Sequence, residues 1–235
     1  MGDFPGGGYA MKAENWEGER IAIEYNRAGF NAAVVDYPVY PDTHPYPLIA
    51  AAEAISFVRK KAKKWGSEKN MTVALGFSAG GHLAASISTL WNKGLLEEYG
   101  FDPILSRPDA TVLSYPVITT GKGTHMGSIE NLTGKNDPES PEWKMYSLET
   151  QVDSLTPPTF LWHTYEDTIV GVENSLLYAT ALRKNYVPFE MHIYNEGDHG
   201  LSLATKELPR TRSVFSREYR WLDFSVDWIC SIFHI

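Results

Sequence analysis

A serine flanked by glycines stands where the chain is predicted to pass from a buried strand to a helix. The strand is the apolar run MTVAL, residues 71–75, and the helix is GHLAASISTLW, which starts at residue 81. Between them, GFSAG at residues 76–80 fits the pattern G-x-S-x-G, in which a sharp turn strains and exposes the serine. Five residues of this kind also occur in ordinary tight turns. Ser78 is therefore a candidate nucleophile only if the rest of the chain supplies its partners.

Strand-like and helix-like segments alternate along most of the chain. The predicted strands are FNAAVVDY, MTVALGF, ATVLSYP, PTFLWHT and FEMHIYN, and the predicted helices are ENWEGERIAIEYNRAG, PLIAAAEAISFVRKKAKKW, GHLAASISTLW, GVENSLLYATALRKN and residues from about 213 to 232. This alternation predicts an α/β fold with a mostly parallel sheet and helices on both faces. The length fits a single domain, residues 1–235, in which residues 119–155 are expected to be a mostly irregular insertion near the active site.

Composition argues against several classes of function. The formal net charge is −8, so we expect no binding to nucleic acid or to an anionic membrane. The basic stretch RKKAKKW, residues 59–65, ends a predicted helix, where cations complement the helix dipole, and is interpreted as a solvated helix end. There is one cysteine, which excludes an intrachain disulfide, and neither a signal peptide nor a membrane-spanning run is recognised. A soluble, cytoplasmic protein is expected.

Two further loops carry side chains suited to catalysis. Because sites in parallel sheets form beyond the carboxyl ends of the strands, both loops are expected to meet the serine turn at one edge of the sheet. The strand PTFLWHT is followed by YEDTIV, in which Asp167 is the candidate acid and its neighbour Glu166 the alternative. The strand FEMHIYN is followed by EGDHG, whose glycines let the backbone bring His199 across the strand ends.

Ser78, Asp167 and His199 follow one another in the chain as nucleophile, acid and base, which is the order found in an α/β-hydrolase. A serine hydroxyl is a weak nucleophile at neutral pH and needs a base beside it. In this interpretation His199 takes the proton, and Asp167 fixes the imidazole tautomer and stabilises the imidazolium. The backbone amides of the glycine-rich stretch FPGGGY, residues 4–9, and of Ala79 are expected to bind the oxyanion.

With these residues identified, the chain resembles the α/β-hydrolase esterase/lipase family that includes bacterial acetyl-xylan-esterase-like and feruloyl-esterase-like enzymes. The matching stretches, in order, are PGGGY, GFSAGGHLAA, YPVIT, TPPTFLWHT, VENSLLYATAL and GDHG. The resemblance implies that the amides of Gly6 and Gly7 bind the oxyanion together with that of Ala79. It also implies that small acyl esters, often acetyl groups on sugars, are cleaved without a metal or an organic cofactor.

The chain departs from the family pattern at two places. Gly171 follows Val170, where the family often has proline after Asp-x-x-Val, and this change is expected to loosen the turn without removing the acid. In the family fold the glycine loop follows the third strand, which lies between the fourth and fifth, yet only MGDF precedes the loop here. We therefore expect that strand and the two before it to be missing, and hypothesise an N-terminally shortened chain. Direct contact between the fourth and fifth strands would instead indicate a rearranged sheet.

The leading hypothesis is a serine carboxylesterase that hydrolyses short-chain acyl esters through an acyl-enzyme, with acetylated carbohydrates as the expected substrates. The expected partner is thus a small-molecule ester. Tyr9, His125 and Trp143 are the candidate substrate-binding residues, and packing in the core is the alternative for Trp143. Two other functions stay open, namely a peptidase or amidase on the same triad and a catalytically inactive hydrolase-fold binding protein.

Overall fold

The computed structural model describes residues 1–205 and 220–235 and is built around a parallel sheet. Within these residues the sheet has six strands: β1 Gly2–Phe4, β2 Ala33–Val34, β3 Val73–Phe77, β4 Ala110–Ser114, β5 Thr159–Thr164 and β6 Phe189–Tyr194. Their order across the sheet is β2-β1-β3-β4-β5-β6, and each neighbouring pair is parallel. The predicted α/β class and the predicted parallel sheet are confirmed.

Helices lie on both faces of this sheet. Their bounds are α1 Arg20–Arg27, α2 Tyr46–Lys61, α3 Ser78–Leu90, α4 Leu95–Glu98, α5 Pro103–Ser106, α6 Met126–Thr133, α7 Pro141–Met145, α8 Glu173–Lys184 and α9 Trp221–Phe233, with a π-helical turn at Glu14–Glu19 and 3₁₀ turns at Ala62–Trp65 and Leu148–Thr150. The last predicted helix began near residue 213, and residues 206–219 lie outside the described part of the chain. No helix within the described ranges is both long and apolar enough to cross a bilayer.

Successive side chains of each central strand point to opposite faces of the sheet. In β3, Ala74 packs into the cluster that contains α2, α3 and α8, whereas Val73, Leu75 and Phe77 pack into the cluster of α1 and α9. Every residue of β3, β4 and β5 is buried. Strands covered on both faces read as continuous apolar runs, which is why these three were predicted close to their observed bounds. The edge strand β2 has two residues, far fewer than the FNAAVVDY that was predicted.

The N-terminal residues correct the expectation that no strand precedes the glycine loop. Gly2–Phe4 forms β1, which pairs with β2 on one side and β3 on the other. Three residues are enough because Asp3 lies in register with both Val34 and Leu75, so one short segment pairs with both neighbours. The strand that was expected to be missing is therefore present, and β2 and β3 are not in direct contact.

The carboxyl group of Asp3 is buried inside β1, and neither of its oxygens has a hydrogen-bond partner among the described residues. Burial, and then the nearby charge of Glu17, raise the pKa of Asp3 well above its usual value. Because the folded state holds this proton more tightly than the unfolded state, stability is lost as the pH rises above the unfolded pKa of about 4.

We therefore predict that Asp3→Asn becomes progressively more stable than the wild type as the pH rises from about 5 to about 8. The difference in the free energy of unfolding is expected to grow by at most about 1.4 kcal/mol per pH unit, since one pKa unit corresponds to that energy. Urea unfolding of both proteins across this range measures it. A difference that stays constant with pH would contradict the prediction.

Residues 119–155, expected to be mostly irregular, contain α6, α7 and a 3₁₀ turn that were not predicted. Helix α7 begins at a conventional cap, because the Ser140 side chain accepts the N–H of Trp143 and Pro141 occupies the first turn. Helix α6 ends at Gly134, which has a φ of 67°. With eight and five residues, the two helices are too short to show a helical hydrophobic period.

The basic stretch at residues 59–65 is less solvated than was interpreted. Arg59 is buried, and its guanidinium forms an ion pair with Asp109 at 2.9 Å and donates to the carbonyl oxygen of Leu105. Lys60, Lys63 and Lys64 are exposed, as expected. Arg59 thus anchors the end of α2 to the segment that leads into β4.

Candidate active site

The serine turn has the strained geometry that its sequence pattern predicts. Ser78 is the first residue of α3 and has a φ of 52°, a conformation that residues other than glycine rarely adopt. Phe77 before it is still extended, so the chain passes from β3 into α3 within one residue. Gly76 and Gly80 make this turn possible, because a Cβ on either residue would overlap the backbone that packs against it.

Three side chains from three separate loops meet in one hydrogen-bonded chain. The hydroxyl of Ser78 lies 2.8 Å from Nε2 of His199, and Nδ1 of His199 lies 2.6 Å from Oδ2 of Asp167. These loops follow β3, β6 and β5, and their meeting at the carboxyl ends of parallel strands is what the alternation of strands and helices predicts. Ser78 and Asp167 are buried, while about one sixth of the His199 side chain is exposed.

The carboxylate of Asp167 is held by four donors. Oδ1 accepts the N–H groups of Ile169 and Val170 at 3.0 and 2.9 Å, and Oδ2 faces the rings of His163 and His199. Burial alone would raise the pKa of Asp167, but the hydrogen bonds from the two imidazoles lower it below its usual range. Asp167 is therefore ionised at neutral pH and can stabilise a positive charge on His199. Glu166, the alternative acid, is exposed and accepts the N–H of Gly197.

His163 approaches Asp167 from the strand side, a contact that sequence reasoning missed. Its Nε2 lies 3.2 Å from Oδ2 of Asp167 and 2.8 Å from the carbonyl oxygen of Val170, and its Nδ1 lies 2.8 Å from the hydroxyl of Ser175. Because a carbonyl oxygen can only accept, Nε2 carries the proton and Nδ1 accepts from Ser175. The position of His163 four residues before Asp167 is the sequence signal for this contact.

The glycine loop corrects the expected oxyanion donors. The N–H of Gly6 donates to Oε2 of Glu17 at 2.9 Å, so this amide is already engaged and is not free for an oxyanion. The N–H of Gly7 donates to no group of the described residues. Ala79 lies in the first turn of α3, where N–H groups have no partner within the helix. Gly7 and Ala79 are therefore the remaining candidate donors.

Two of the three candidate substrate-binding residues belong to the core. The hydroxyl of Tyr9 lies 3.0 Å from Nδ1 of His82, whose Nε2 faces the carbonyl oxygen of Tyr146, and burial lowers the pKa of His82 to about 4. Trp143 is fully buried, and its indole N–H donates to the carbonyl oxygen of Lys135. Tyr9 and Trp143 are both fully buried and are not exposed to a substrate. The polar group of each side chain bonds a buried partner, a contact that no sequence pattern reveals.

Trp143 instead supports the loop that carries Asp167. It packs in a small buried cluster with Val117, Ile129 and Val170, and Val170 is one of the residues whose N–H binds the Asp167 carboxylate. The alternative that Trp143 packs in the core is thus the one observed.

His125 is the remaining candidate substrate-binding residue. It is half-buried just before α6, and its Nδ1 lies 2.8 Å from the hydroxyl of Ser128. Burial, and then the charge of His199, lower the pKa of His125. Across the described ranges, no group of three or more histidine, cysteine, aspartate or glutamate side chains is arranged to hold a metal ion.

Comparisons of sequence with known proteins find a matching family and relatives named as a xylanase and as esterases. Residues 5–182 match the BD-FAE family. Endo-1,4-beta-xylanase B of Butyrivibrio fibrisolvens is 41% identical over 208 residues, which are 87% of this chain and 32% of that protein. The acetylxylan esterase of Xylanibacter ruminicola is 33% identical over 205 residues, which are 86% of this chain and 40% of that protein. The chain thus spans well under half the length of these curated relatives.

Solved structures share the whole fold. The acetyl ester-xyloside bifunctional hydrolase from Caldicellulosiruptor lactoaceticus superposes with a TM-score of 0.87 at 42% identity, covering 100% of this chain and 83% of that one. The carboxylesterase Cest-2923 from Lactobacillus plantarum gives a TM-score of 0.85 at 24% identity, covering 98% and 84%. The second likeness concerns the fold alone, whereas the first extends to the sequence.

Proposed function

The chain belongs to the BD-FAE family, and we propose that it is a serine carboxylesterase that hydrolyses short-chain acyl esters, with acetylated carbohydrates as its substrate class. The observation that carries the proposal is the hydrogen-bonded chain from Ser78 through His199 to Asp167. The names of the relatives, an acetylxylan esterase and an acetyl ester-xyloside hydrolase, support the choice of substrate class. The xylanase relative is matched over only a third of its length, so its xylanase activity is not carried over.

In the proposed mechanism the hydroxyl of Ser78 attacks the ester carbonyl carbon while Nε2 of His199 takes its proton. The carbonyl oxygen becomes an oxyanion and is stabilised by the amides of Gly7 and Ala79. The imidazolium, stabilised by Asp167, then protonates the leaving alcohol, and the acyl group remains on Ser78. A water molecule, deprotonated in turn by His199, attacks the acyl-enzyme, and His199 returns the proton to the Ser78 oxygen as the carboxylic acid leaves.

The substrate class is tested with acyl esters and with an amide. We expect release of acetate from acetylated xylo-oligosaccharides and hydrolysis of p-nitrophenyl acetate, and no hydrolysis of an aminoacyl p-nitroanilide above the background rate. An amide is the harder substrate because its leaving group must be protonated as the carbon–nitrogen bond breaks. Cleavage of the anilide as fast as the acetate would favour the peptidase or amidase alternative. Hydrolysis of feruloyl esters without that of acetyl esters would overturn the substrate class.

Labelling with a fluorophosphonate tests the alternative of an inactive binding protein. Such a probe reacts well only with a serine that a neighbouring base activates. We expect stoichiometric labelling of the wild-type protein and none of Ser78→Ala. Absence of labelling in a folded wild-type preparation would favour the binding-protein alternative.

A further inference from the structure

Glu17 is a buried carboxylate behind the glycine loop that the proposed mechanism does not use. It lies in the π-helical turn Glu14–Glu19 and is 6% exposed. Its Oε2 accepts the N–H of Gly6 at 2.9 Å, and its Oε1 accepts the O–H of Tyr115 at 2.7 Å. Burial raises the pKa of Glu17, and these two hydrogen bonds oppose the rise. Since burying a carboxylate is costly unless both oxygens are satisfied, both bonds matter at this position.

Tyr115 extends this connection to the loop of His199. Because its hydroxyl proton goes to Glu17, its oxygen is free to accept the N–H of Ser202, which it does at 2.8 Å. Its ring lies edge-on against the ring of His199, with the two centroids 5.1 Å apart. Tyr115 therefore forms one wall of the space in which the imidazole of His199 is held, and its own position depends on Glu17.

On its other side, Glu17 fixes the glycine loop against the serine turn. A Cβ on Gly6 would lie 2.6 Å from Oε2 of Glu17, 2.8 Å from the carbonyl oxygen of Phe77 and 3.0 Å from Cβ of Ser78. Gly6 is thus wedged between Glu17 and the candidate nucleophile. With the Gly6 amide bound to Glu17, the amide of the next residue, Gly7, is one of the loop amides that donate to no group of the described residues.

We propose that Glu17 is a positioning residue that holds the glycine loop and the ring of His199 in position relative to Ser78. It acts through Gly6 on one side and through Tyr115 on the other. The inference rests on the proposed esterase function of this site. Donors and bases act in the transition state only when they are held within about 0.5 Å of the productive geometry. Glu17 supplies that restraint from a single carboxylate that binds two loops far apart in the sequence.

The test compares Glu17→Gln with Glu14→Gln, an exposed glutamate in the same π-helical turn. The carboxamide introduced by Glu17→Gln has one acceptor oxygen, so it keeps at most one of the two bonds in its present direction. For p-nitrophenyl acetate we expect Glu17→Gln to lower kcat about 10- to 100-fold, the cost of a misplacement of about 1 Å, with KM nearly unchanged. Affinity for a trifluoromethyl ketone, which forms a tetrahedral adduct with the serine, is expected to fall by the same factor as kcat/KM. Glu14→Gln is expected to match the wild type in both.

Tyr115→Phe keeps the ring beside His199 and removes the hydroxyl that binds Glu17. It therefore tests the same proposal if the Glu17→Gln protein does not fold. We expect a smaller loss of the same kind, in kcat and ketone affinity rather than in KM. A folded Glu17 or Tyr115 variant that keeps the wild-type kcat per labelled serine and loses only stability would overturn the proposal. Glu17 would then be a structural residue. Failure of the esterase function itself is distinguishable, because the wild type and Ser78→Ala would then hydrolyse the acetate equally.

Discussion

Replacing Ser78 by alanine is expected to lower kcat for p-nitrophenyl acetate on the order of 10⁶-fold, the loss seen when the nucleophile of such a triad is removed. The hydroxyl is 2.8 Å from Nε2 of His199, so the group that attacks and the base that activates it are already in contact. The alanine variant keeps the amides of Gly7 and Ala79 and the base. A small residual rate over water is therefore expected, since binding and oxyanion stabilisation survive the loss of the nucleophile.

The matched control for this experiment is Ser154→Ala, which removes an exposed serine hydroxyl. Substitutions at such surface positions change stability by no more than about 0.5 kcal/mol, so wild-type activity is expected. Circular dichroism checks that Ser78→Ala is folded, because alanine must adopt the same positive φ at this position. Equal rates for the wild type and a folded Ser78→Ala protein would remove Ser78 from the mechanism.

The parts of the site that follow buried strands could be predicted from the sequence. Ser78 directly follows β3, and Asp167 lies shortly after the end of β5. Both strands are buried throughout and therefore appear as apolar runs in the sequence. Parallel strands bring their carboxyl ends to one edge of the sheet. Identifying β3, β5 and β6 in the sequence was therefore enough to predict that His199 lies near Ser78 and Asp167. Local pattern and global topology agree at these positions.

The supporting contacts could not be predicted, because they join buried polar groups from distant parts of the chain. Tyr115 is 98 residues from Glu17 in the sequence, and Tyr9 is 73 residues from His82. A buried hydrogen bond of this kind has no hydrophobic period and no fixed spacing. The sequence therefore does not distinguish a tyrosine that binds substrate from one that bonds a buried histidine. The same holds for Gly6, whose engagement by Glu17 reversed its expected role as an oxyanion donor.

Strand β1 shows a different limit of sequence reasoning. Its three residues, Gly2–Phe4, contain an acidic side chain and are shorter than a pattern of alternation needs. They pair because two neighbouring strands present unsatisfied backbone groups on either side, so the surrounding sheet determines their conformation. A pattern seen in the segment alone could not contain that information.

Replacing Asp167 by asparagine is expected to lower kcat about 10⁴-fold with little change in KM, because the substitution selects the wrong tautomer of His199. The orientation of the asparagine follows from the contacts of Asp167. Two backbone N–H groups, those of Ile169 and Val170, point at Oδ1, so the side-chain oxygen must occupy that place. The amide nitrogen then faces Nδ1 of His199, which can only accept from it. The imidazole proton moves to Nε2, where it prevents the ring from taking the proton of Ser78.

The matched control is Glu166→Gln, since Glu166 is the neighbouring acid that sequence reasoning left as an alternative. Glu166 is exposed, and its one hydrogen bond among the described residues, from the N–H of Gly197 at 3.2 Å, can be kept by the glutamine oxygen. Its effect on kcat/KM is expected to stay within about twofold, the range of a surface substitution. If Glu166→Gln instead lost activity by orders of magnitude while a folded Asp167→Asn protein retained it, the acid of the triad would be Glu166. That outcome would require the loop after β5 to rearrange, because the four donors around Asp167 would then surround a residue with no part in catalysis.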